Sequence, residues 1–303
     1  MSFLLSCAVR IAWTELTGEC WDVIHVHGDV YEAAVIGLTG RLIGVPVVLT
    51  IHSCLPERLS YRAVARLAFR WLSHCIVVSP VIERQWVGWG LPAERISVIS
   101  SGIYAEALAS NGREGRGKGG EVLAVGRLHP VKGFSTLIEA ACLLEAERPG
   151  QFRWTIIGDG SEGEALRRQA AGRAPVSFLG DMPREQVWGW LKKGDIFVLP
   201  SQDLDGHREG TPTAVLEAMA GGLSCVVSDS GGLSHVVEDG KSGLVVPQRN
   251  PGALAGAVAR LRDDPVLRQR ISEQARRTAA ERDWPKISRR VEEAYAKAGC
   301  ALH

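Results

Sequence analysis

The stretch EVLAVGRLHPVKGFSTLIEA, residues 121–140, places a short apolar run before a polar loop and an amphipathic segment after it. The run EVLAV predicts a buried strand, residues from Gly126 to Gly133 read as a loop, and the apolar spacing beyond Gly133 predicts a helix. The same succession of strand, loop and helix recurs on both sides of this stretch. Such alternation is typical of parallel sheets covered by helices, so the sequence predicts an α/β protein.

The glycine-rich, charged segment NGREGRGKGG at 111–120 separates two such successions. A segment of this composition cannot bury enough apolar surface to pack, so we expect it to link two lobes. Residues 1–110 are predicted to form an N-terminal Rossmann-like domain, and residues 121–285 a C-terminal one. The last stretch, 286–303, is predicted to hold a further amphipathic helix.

Apolar runs bounded by turn residues predict the strands of the two lobes. The predicted strands are WDVIHVH, VPVVLTI, HCIVVS and RISVIS in the first lobe, and EVLAVG, RWTIIG, VSFLG, DIFVLP, LSCVVS and GLVVP in the second. Helices of the second lobe are predicted at about 133–147, 161–171, 183–193, 212–220, 251–262 and 264–281.

The composition is that of a globular protein rather than a nucleic-acid-binding one, with 46% hydrophobic residues, 23% charged residues and a net charge of +1. The seven cysteines form no C-x-x-C pair, so neither a disulfide framework nor a structural metal site is indicated. We therefore expect a reduced, cytoplasmic compartment. The apolar region 33–51 contains Arg41 and Pro46, so it is predicted to be a helix and a buried strand rather than a membrane span.

The loops that follow the strands of the second lobe hold most of its polar chemistry. They read GRLHPVKG, GDGSEGE, PSQDLDGHREGTP and SDSGG, and in open parallel sheets ligands bind beyond the carboxyl ends of the strands. Arg127 offers a planar fork of donors and Lys132 a point charge, a combination suited to two phosphates. The ordinary alternative is a pair of solvated loop cations.

The stretch EGTPTAVLEAMAGG, which begins at Glu209, reads as a helix start between two carboxylates. Thr211 is a good N-cap and Pro212 a good first helical residue, so free N–H groups are expected from about Thr213 onward, and such groups attract anions. With Glu209 before this helix start and Glu217 two turns inside, the pattern indicates a ligand with phosphates in its middle and hydroxyls at both ends. Otherwise the two glutamates are an ordinary loop carboxylate and an exposed helix residue.

These motifs together resemble the donor-binding lobe of the retaining family 4 glycosyltransferases, which have the two-lobed GT-B fold. The resemblance covers about residues 120–285 through VGRLHPVKGFSTLIEA, IIGDGSEGEALR, VSFLGDMPREQVWGWLKKGDIFVLPS and EGTPTAVLEAMAGGLSCVVSDSGGLSHVVEDGKSGLVVP. In the first lobe it is weaker but continuous, through DVIHVHG, VPVVLTIHS, VVSP and AERISVISSGI. A nucleotide-sugar donor and a sugar, lipid-linked or small-molecule acceptor are the expected substrates.

The resemblance implies a role for each matching side chain. Arg127 and Lys132 would hold the diphosphate and offset the charge of the leaving nucleotide, so no metal or other cofactor is expected. Glu217 would accept hydrogen bonds from ribose hydroxyls. Glu209 would do the same for the transferred sugar, and His52 would contact the sugar donor or the acceptor, which makes these two the candidate catalytic residues. No protein nucleophile is assigned.

The segment Gly210, Thr211, Pro212 and Thr213 completes the expected sugar-donor site. By the family pattern, backbone N–H groups from about Thr211 to Ala214 meet phosphate at the start of the helix. The phosphate-binding role that the resemblance implies for this segment thus agrees with the anion-binding helix start that its residues indicate on their own.

The beginning of the chain departs from the family pattern. Members normally have a strand, a glycine-rich loop and two further βα units before the segment equivalent to WDVIHVH, whereas this chain begins with about twenty residues that read as one helix. The strand at 22–27 should therefore have an unpaired edge, unless the N-terminal segment or another chain covers it.

Several functional readings remain open. The chain is a shortened active enzyme, a fragment whose start lies upstream, or a non-catalytic subunit that binds the nucleotide sugar. A nucleotide-sugar epimerase shares the fold but would act on the nucleotide sugar alone. A nicotinamide-dependent oxidoreductase is excluded, because no G-x-G-x-x-G run follows a first strand.

Two further polar patterns could suggest a metal site, but neither is interpreted as one. Asp203 and Asp205 form a DLD that imitates the metal-binding D-x-D of a different transferase fold, but here it precedes the glutamate motif in a loop. His25 and His27 share one face of a strand and lack a third ligand, so they are expected to be polar strand-end residues.

A basic stripe is predicted on the helix in PERLSYRAVARLAFRWLSHC. Arginines recur there every four residues and drift about 40° per step around the helix. Their positions are Arg58, Arg62, Arg66 and Arg70. Such a stripe is usually a solvated face. The alternative hypothesis is that the stripe, together with Trp86 and Trp89, docks on anionic lipid at the inner face of the membrane and presents a lipid-linked acceptor.

Overall fold

The computed structural model describes residues 2–18, 20–108, 117–204 and 213–300. These residues divide into two compact units, each with its own sheet. Within the described ranges, the first unit comprises residues 2–101 and 285–300, and the second comprises 102–204 and 213–284.

The first unit is built on a four-stranded parallel sheet of strand order β1-β2-β3-β4, which confirms the four predicted strands. Its elements in chain order are α1 (Ser2–Leu16), β1 (Ile24–His27), α2 (Val30–Ile43), β2 (Val47–Ile51), α3 (Leu59–Ala68), β3 (His74–Val77), α4 (Pro80–Trp89) and β4 (Ile96–Val98).

Both faces of the first sheet are covered by helices. Alternate side chains of β2 point to opposite faces, so this one strand contacts both coverings. Val47 and Leu49 face the core formed with α2, α3 and α4. Val48 faces a smaller cluster on the other side, where it packs with Ile287 and Ala294. These last two residues belong to the helix at the end of the chain, so that helix returns to the first unit to cover the second face of its sheet.

The N-terminal segment is a helix, as predicted, and not an additional strand. The partly buried Cys7, Ala8 and Ile11 of α1 pack against the core of the first unit. Within the described residues, β1 pairs with β2 alone and lies at the edge of the sheet.

The second unit is built on a six-stranded parallel sheet of strand order β10-β9-β8-β5-β6-β7, which confirms the six predicted strands. In chain order its elements are α5 (Ala105–Leu108), β5 (Glu121–Val125), α6 (Phe134–Glu147), β6 (Arg153–Ile157), α7 (Gly163–Ala170), β7 (Val176–Phe178), α8 (Arg184–Lys193), β8 (Ile196–Leu199), α9 (Thr213–Ala220), β9 (Ser224–Ser228), α10 (Leu233–Val236), β10 (Gly243–Val246), α11 (Pro251–Asp263) and α12 (Pro265–Ala280).

The second sheet lies between two layers of helices, and its central strand β5 contributes to both cores. Val122 packs into the cluster that contains residues of α6 and α11. Leu123, the next residue, packs into the cluster on the opposite face with Phe197 and Met219. Two-sided burial requires a strand that is apolar at every position, which is why these strands read as continuous hydrophobic runs in the sequence.

The division between the units differs in place from the predicted linker at 111–120. The second unit begins at residue 102, where the N–H of Ile103 donates to the carbonyl of Arg282 at 3.0 Å. The last helix, α13 (Trp284–Lys297), packs on the first sheet.

No helix in the part of the chain that the structure describes is both long and apolar enough to cross a membrane.

His25 is a polar residue held inside the first unit. Its Nε2 lies 2.7 Å from the Thr50 hydroxyl and its Nδ1 lies 2.7 Å from the Tyr295 hydroxyl of α13. Burial, reinforced by positive charge on His27 and His52, lowers the pKa of His25 to about 4. A lowered pKa favours the neutral ring in the folded chain.

We predict that this histidine makes the fold sensitive to acid. The unfolded chain binds the proton near the ordinary pKa of 6.5, whereas the folded chain resists it down to about 4, so stability is lost as the pH falls through that window. His25→Gln should reduce the slope of melting temperature against pH between those values, and the exposed His235→Gln should leave it unchanged. An unaltered slope in His25→Gln would contradict the assignment.

Candidate functional site

Four loops come together at the carboxyl edge of the second sheet, because the strands they follow are neighbours in the order β9, β8, β5 and β6. Backbone hydrogen bonds join the loops after β5 and β6. The N–H of Gly126 donates to the carbonyl of Ile157 at 3.0 Å, and that of Leu128 donates to the carbonyl of Asp159 at 2.9 Å. The described parts of the polar loops singled out in the sequence therefore lie side by side.

The loop after β5 carries the two predicted phosphate-binding cations. Arg127 is exposed directly beyond the strand, and the buried Leu128 anchors the loop beneath it. A 3-10 turn at Pro130–Lys132 then brings the half-buried Lys132 stem back across Gly126. The Arg127 guanidinium donates no hydrogen bond to another described residue. The loop thus presents a guanidinium and an ammonium at the same sheet edge.

The loop after β8 holds the cationic loop in place. The N–H of Gln202 donates to the carbonyl of Val131 at 2.7 Å, and its side-chain amide donates to the carbonyl of Pro130 at 2.7 Å. Gly133 adopts a φ of +66°, and a Cβ placed there would lie 2.0 Å from the carbonyl oxygen of Pro200. Only glycine allows the two loops to approach this closely.

Asp203, the first aspartate of the DLD, is tied into the loop network. Its Oδ1 accepts from the Ser230 hydroxyl at 2.7 Å, and its backbone N–H donates to the side chain of Gln248 at 2.8 Å. Asp205 lies outside the described residues. Within the ranges given above, no group of three or more His, Cys, Asp or Glu side chains is arranged to hold a metal ion.

Glu217 lies on α9 with only 12% of its side chain exposed. Its Oε1 accepts from the Trp188 indole N–H at 3.3 Å and lies 3.7 Å from the Arg184 Nε. Burial raises the pKa of Glu217, while the Trp188 hydrogen bond and the Arg184 charge act in the opposite direction. The carboxylate is thus partly desolvated, and both partners favour its ionised form.

Arg184 and Trp188 were not identified as site residues from the sequence. The Arg184 guanidinium lies 5.8 Å from the centre of the Tyr104 ring and 5.9 Å from that of Trp188, so it lies against both aromatic side chains beside Glu217. The spacing of Arg184 and Trp188, four residues apart on α8, was the available signal, since it places both on one helix face.

The segment before α9 holds the other predicted contacts to the sugar donor. Glu209, Gly210, Thr211 and Pro212 lie outside the described residues. Thr213 is exposed and is the first residue of α9.

In the first unit, the structure brings His52 together with His27. His52 follows β2 directly, and its Nε2 lies 2.9 Å from the Nδ1 of His27. Burial, and then positive charge on His27, lower the pKa of His52. The sequence interpretation placed His25 and His27 on one strand face but missed the contact with His52, because that contact depends on the pairing of β1 with β2.

The basic stripe on α3 is only partly a solvated surface. The Arg62 guanidinium donates to the carbonyl of Gly88 at 3.3 Å, and the Arg66 Nε donates to the carbonyl of Trp89 at 3.0 Å, so both satisfy carbonyls at the end of α4. Trp86 is completely buried and Trp89 is 2% exposed. The part of the lipid hypothesis that used these two tryptophans is therefore wrong, while Arg58 and Arg70 are exposed.

Comparison with known proteins identifies the family of the chain. The family model of Glycosyl transferases group 1 matches residues 110–278, and that of Glycosyltransferase Family 4 matches residues 5–107. Glycogen synthase of Mycobacterium tuberculosis is 30% identical over 299 residues, which cover 93% of this chain and 70% of that protein. The chain belongs to the glycosyl transferases group 1 family.

Two further comparisons bear on the extent and fold of this group 1 member. The amylovoran biosynthesis glycosyltransferase AmsK of Erwinia amylovora is 35% identical over 188 residues, which cover 61% of this chain and 46% of AmsK. The crystal structure of Anabaena HepE in complex with UDP matches with a TM-score of 0.80 at 22% identity, covering 95% of this chain and 81% of that one. The chain thus spans about half the length of AmsK, and the predicted GT-B fold class is confirmed.

We predict that Gly133→Ala destabilises the second unit more than Gly150→Ala. Both glycines have nearly the same φ, +66° and +69°, but a Cβ at Gly150 meets no atom within 4 Å. Gly150→Ala should cost about 1–2 kcal/mol for the left-handed backbone. Gly133→Ala should cost on the order of 3 kcal/mol or more, because the clash with Pro200 adds to the same strain.

Urea unfolding of the two variants measures this difference, since the backbone strain is matched between them. Equal losses of unfolding free energy would show that the approach of Gly133 to Pro200 does not constrain the loops.

Proposed function

We propose that the protein transfers a sugar from a nucleotide-sugar donor to an acceptor, with retention of anomeric configuration and without a metal. The observation that carries this proposal is the carboxyl edge of the second sheet. There, within the residues matched by the glycosyl transferases group 1 family, a loop with Arg127 and Lys132 lies beside the loop that follows β8.

Arg127 and Lys132 are assigned to the diphosphate of the sugar donor. A guanidinium forms paired hydrogen bonds to phosphate oxygens, whereas an ammonium acts as a compact charge. Together they would offset the negative charge that grows on the departing nucleoside diphosphate, which is the task of a divalent ion in metal-dependent enzymes. Lys132 is half-buried, so its charge is screened by water less than that of a fully exposed side chain.

The two glutamates are assigned to the hydroxyls on either side of the diphosphate. Glu217 is an ionisable acceptor in a mostly buried position, which suits it to hold two ribose hydroxyls. Glu209 would accept from hydroxyls of the transferred sugar, and the segment from Gly210 to Thr213 would meet phosphate with its N–H groups. These last assignments rest on the sequence motif.

The proposed reaction needs no protein nucleophile. The bond from the anomeric carbon to the diphosphate oxygen breaks, and the acceptor oxygen forms a bond to the same carbon from the same face. The acceptor proton passes to an oxygen of the leaving diphosphate. His52 would contact the sugar donor or the acceptor, where a neutral imidazole can donate or accept a hydrogen bond.

The similar proteins indicate which substrates to test first. Crystal structures of Anabaena HepE contain UDP, UDP with glucose, or UDP-glucose. AmsK is named for amylovoran biosynthesis, and another relative is a glycogen synthase. Uridine diphosphate sugars and saccharide acceptors are therefore the first candidates.

A non-catalytic nucleotide-sugar-binding subunit is the second candidate. It is favoured by the first sheet, which has four strands in the described residues. Such a subunit would bind the nucleotide sugar but would release no nucleotide, whichever acceptor was added. An epimerase, in contrast, would consume the nucleotide sugar in the absence of acceptor.

We predict that Arg127→Ala and Lys132→Ala each weaken UDP binding. Loss of one charge-assisted phosphate contact costs about 1.5–3 kcal/mol, which corresponds to a loss in affinity of tenfold or more. Thermal shift with UDP measures binding, because a ligand at a hundred times its Kd adds about 2.7 kcal/mol of stability. Release of UDP from UDP-sugars, with and without saccharide acceptors, measures transfer.

The matched control is the double variant Arg173→Ala/Lys192→Ala, which removes one arginine and one lysine from exposed positions elsewhere in the second unit. It should bind UDP like the wild type. If it lost as much affinity as a variant carrying both Arg127→Ala and Lys132→Ala, general electrostatic attraction would explain the binding and the assigned site would be wrong.

A separate prediction concerns the acid sensitivity of nucleotide binding. Burial raises the pKa of Glu217, so as the pH falls its carboxylate is protonated earlier than an ordinary glutamate and can no longer accept from two ribose hydroxyls. UDP affinity should therefore fall with decreasing pH more steeply in the wild type than in Glu217→Gln. The exposed Glu185→Gln on α8 is the control and should keep the wild-type slope, as measured by calorimetric titration.

A further inference from the structure

Three histidines form a row at the carboxyl edge of the first sheet. The ring centres of His25 and His27 lie 4.4 Å apart, and those of His27 and His52 lie 5.2 Å apart with 19° between the ring planes. The His27 Nδ1 and the His52 Nε2 lie 2.9 Å apart, within hydrogen-bond distance. The three imidazoles are thus in contact rather than merely neighbours in sequence.

The register of the sheet explains why the contacts repeat. His25 aligns with Val48 and His27 aligns with Thr50 in the parallel pairing of β1 with β2. Each histidine bonds the side chain two residues further along the neighbouring chain segment: His25 bonds Thr50 at 2.7 Å, and His27 bonds His52 at 2.9 Å. The second contact is therefore built into the strand pairing and does not depend on a chance loop conformation.

A hydrogen bond between two imidazole nitrogens contains one hydrogen. One facing nitrogen must donate and the other must accept, so the tautomer of one ring fixes that of the other. Protonation of both rings would place a hydrogen on each facing nitrogen and break the contact. The His27 ring can thus control both the orientation and the protonation of His52.

The polar groups around His27 and His52 are bonded to other partners, so the orientation of His52 depends on the contact between the two imidazoles. His25 is committed to the hydroxyls of Thr50 and Tyr295. The carboxylates after β1, Asp29 and Glu32, accept from the backbone N–H groups that cap α2.

On the side of β2, the Glu57 carboxylate accepts from the Gln85 amide at 3.0 Å and the Trp89 indole at 3.1 Å. Among the described residues, no carboxylate forms a hydrogen bond or ion pair with His27 or His52.

We propose that His27 is the positioning residue of His52, holding its ring in one tautomer and one orientation through the contact between Nδ1 and Nε2. The proposal rests on the proposed function, in which His52 contacts the sugar donor or the acceptor. His27 itself need not touch either substrate. Its role would parallel that of the groups that orient catalytic imidazoles in other enzymes.

Nuclear magnetic resonance tests the positioning without any assay of activity. Long-range ¹H–¹⁵N spectra of protein labelled at histidine report which ring nitrogen carries the hydrogen. In the wild type, His52 should occupy a single tautomer. In His27→Ala it should become a mixture of tautomers, whereas in His27→Asn the amide group, which reaches the former Nδ1 position, should restore one.

Titration of the same samples gives a second readout. Burial lowers the pKa of His52, and positive charge on His27 lowers it further, so removal of His27 should move the pKa of His52 upward. The control is His74→Asn, since His74 begins β3 at the opposite end of the sheet and bonds Ser97 at 2.9 Å. This variant should lower stability and leave the His52 spectrum unchanged.

Kinetics separate positioning from a purely structural role. His27→Ala should lower kcat about tenfold or more while the KM for the nucleotide sugar changes less than about twofold, because only the placement of the reacting groups is affected. The acid limb of its pH–rate profile should also move to higher pH. His27→Asn should recover most of kcat.

The proposal is overturned if His52 keeps the wild-type tautomer and pKa in His27→Ala, or if His27→Asn behaves like His27→Ala in the spectra. Absence of turnover by the wild-type protein with every nucleotide sugar would instead count against the proposed function, and the spectra alone would then decide the role of His27.

Discussion

Parallel pairing of β5 with β6 on one side and β8 on the other is the constraint on which the second unit depends. It aligns the carboxyl ends of three strands, so the polar loops that follow them must share one edge. The two-sided burial of Val122 and Leu123 keeps β5 at the centre of the sheet. The contact of Gly133 with Pro200 then brings two of these loops together at backbone distance. Placement of Lys132 is therefore a consequence of sheet topology and of one glycine.

Most of the fold could be predicted because buried parallel strands leave a clear pattern in the sequence. The helix predicted at 133–147 is observed as Phe134–Glu147, and the one predicted at 183–193 as Arg184–Lys193. The meeting of the loops could also be predicted, since it follows from parallel topology alone. Side-chain partners could not, because a contact such as Arg184 with Glu217 depends on how α8 packs against α9 and has no local signal that fixes it.

The first unit shows the same limit. Of the four arginines predicted to form one row, only Arg62 and Arg66 lie within α3. Their spacing does not say whether a guanidinium faces water or the end of a neighbouring helix. Arg62 and Arg66 bond carbonyls of α4, and the tryptophans of α4 are buried in the core. Likewise, the strand period placed His25 and His27 on one face, whereas the contact with His52 required the register of β1 against β2.

A sheet edge that binds diphosphate faces an electrostatic conflict when it also carries carboxylates for the sugar hydroxyls. A carboxylate close to the diphosphate would repel it, and a buried carboxylate tends to take up a proton and lose its capacity to accept two hydrogen bonds. Arg184 and Trp188 counter both effects at Glu217. The neighbouring cation and the indole N–H donor stabilise the ionised carboxylate, and the cation reduces the repulsion between the carboxylate and a diphosphate. Arg127 and Lys132, which the proposed function assigns to the phosphates, lie on a separate loop. The separation of the two cation sets is what would allow a site without metal to hold acidic and phosphate-binding groups at once.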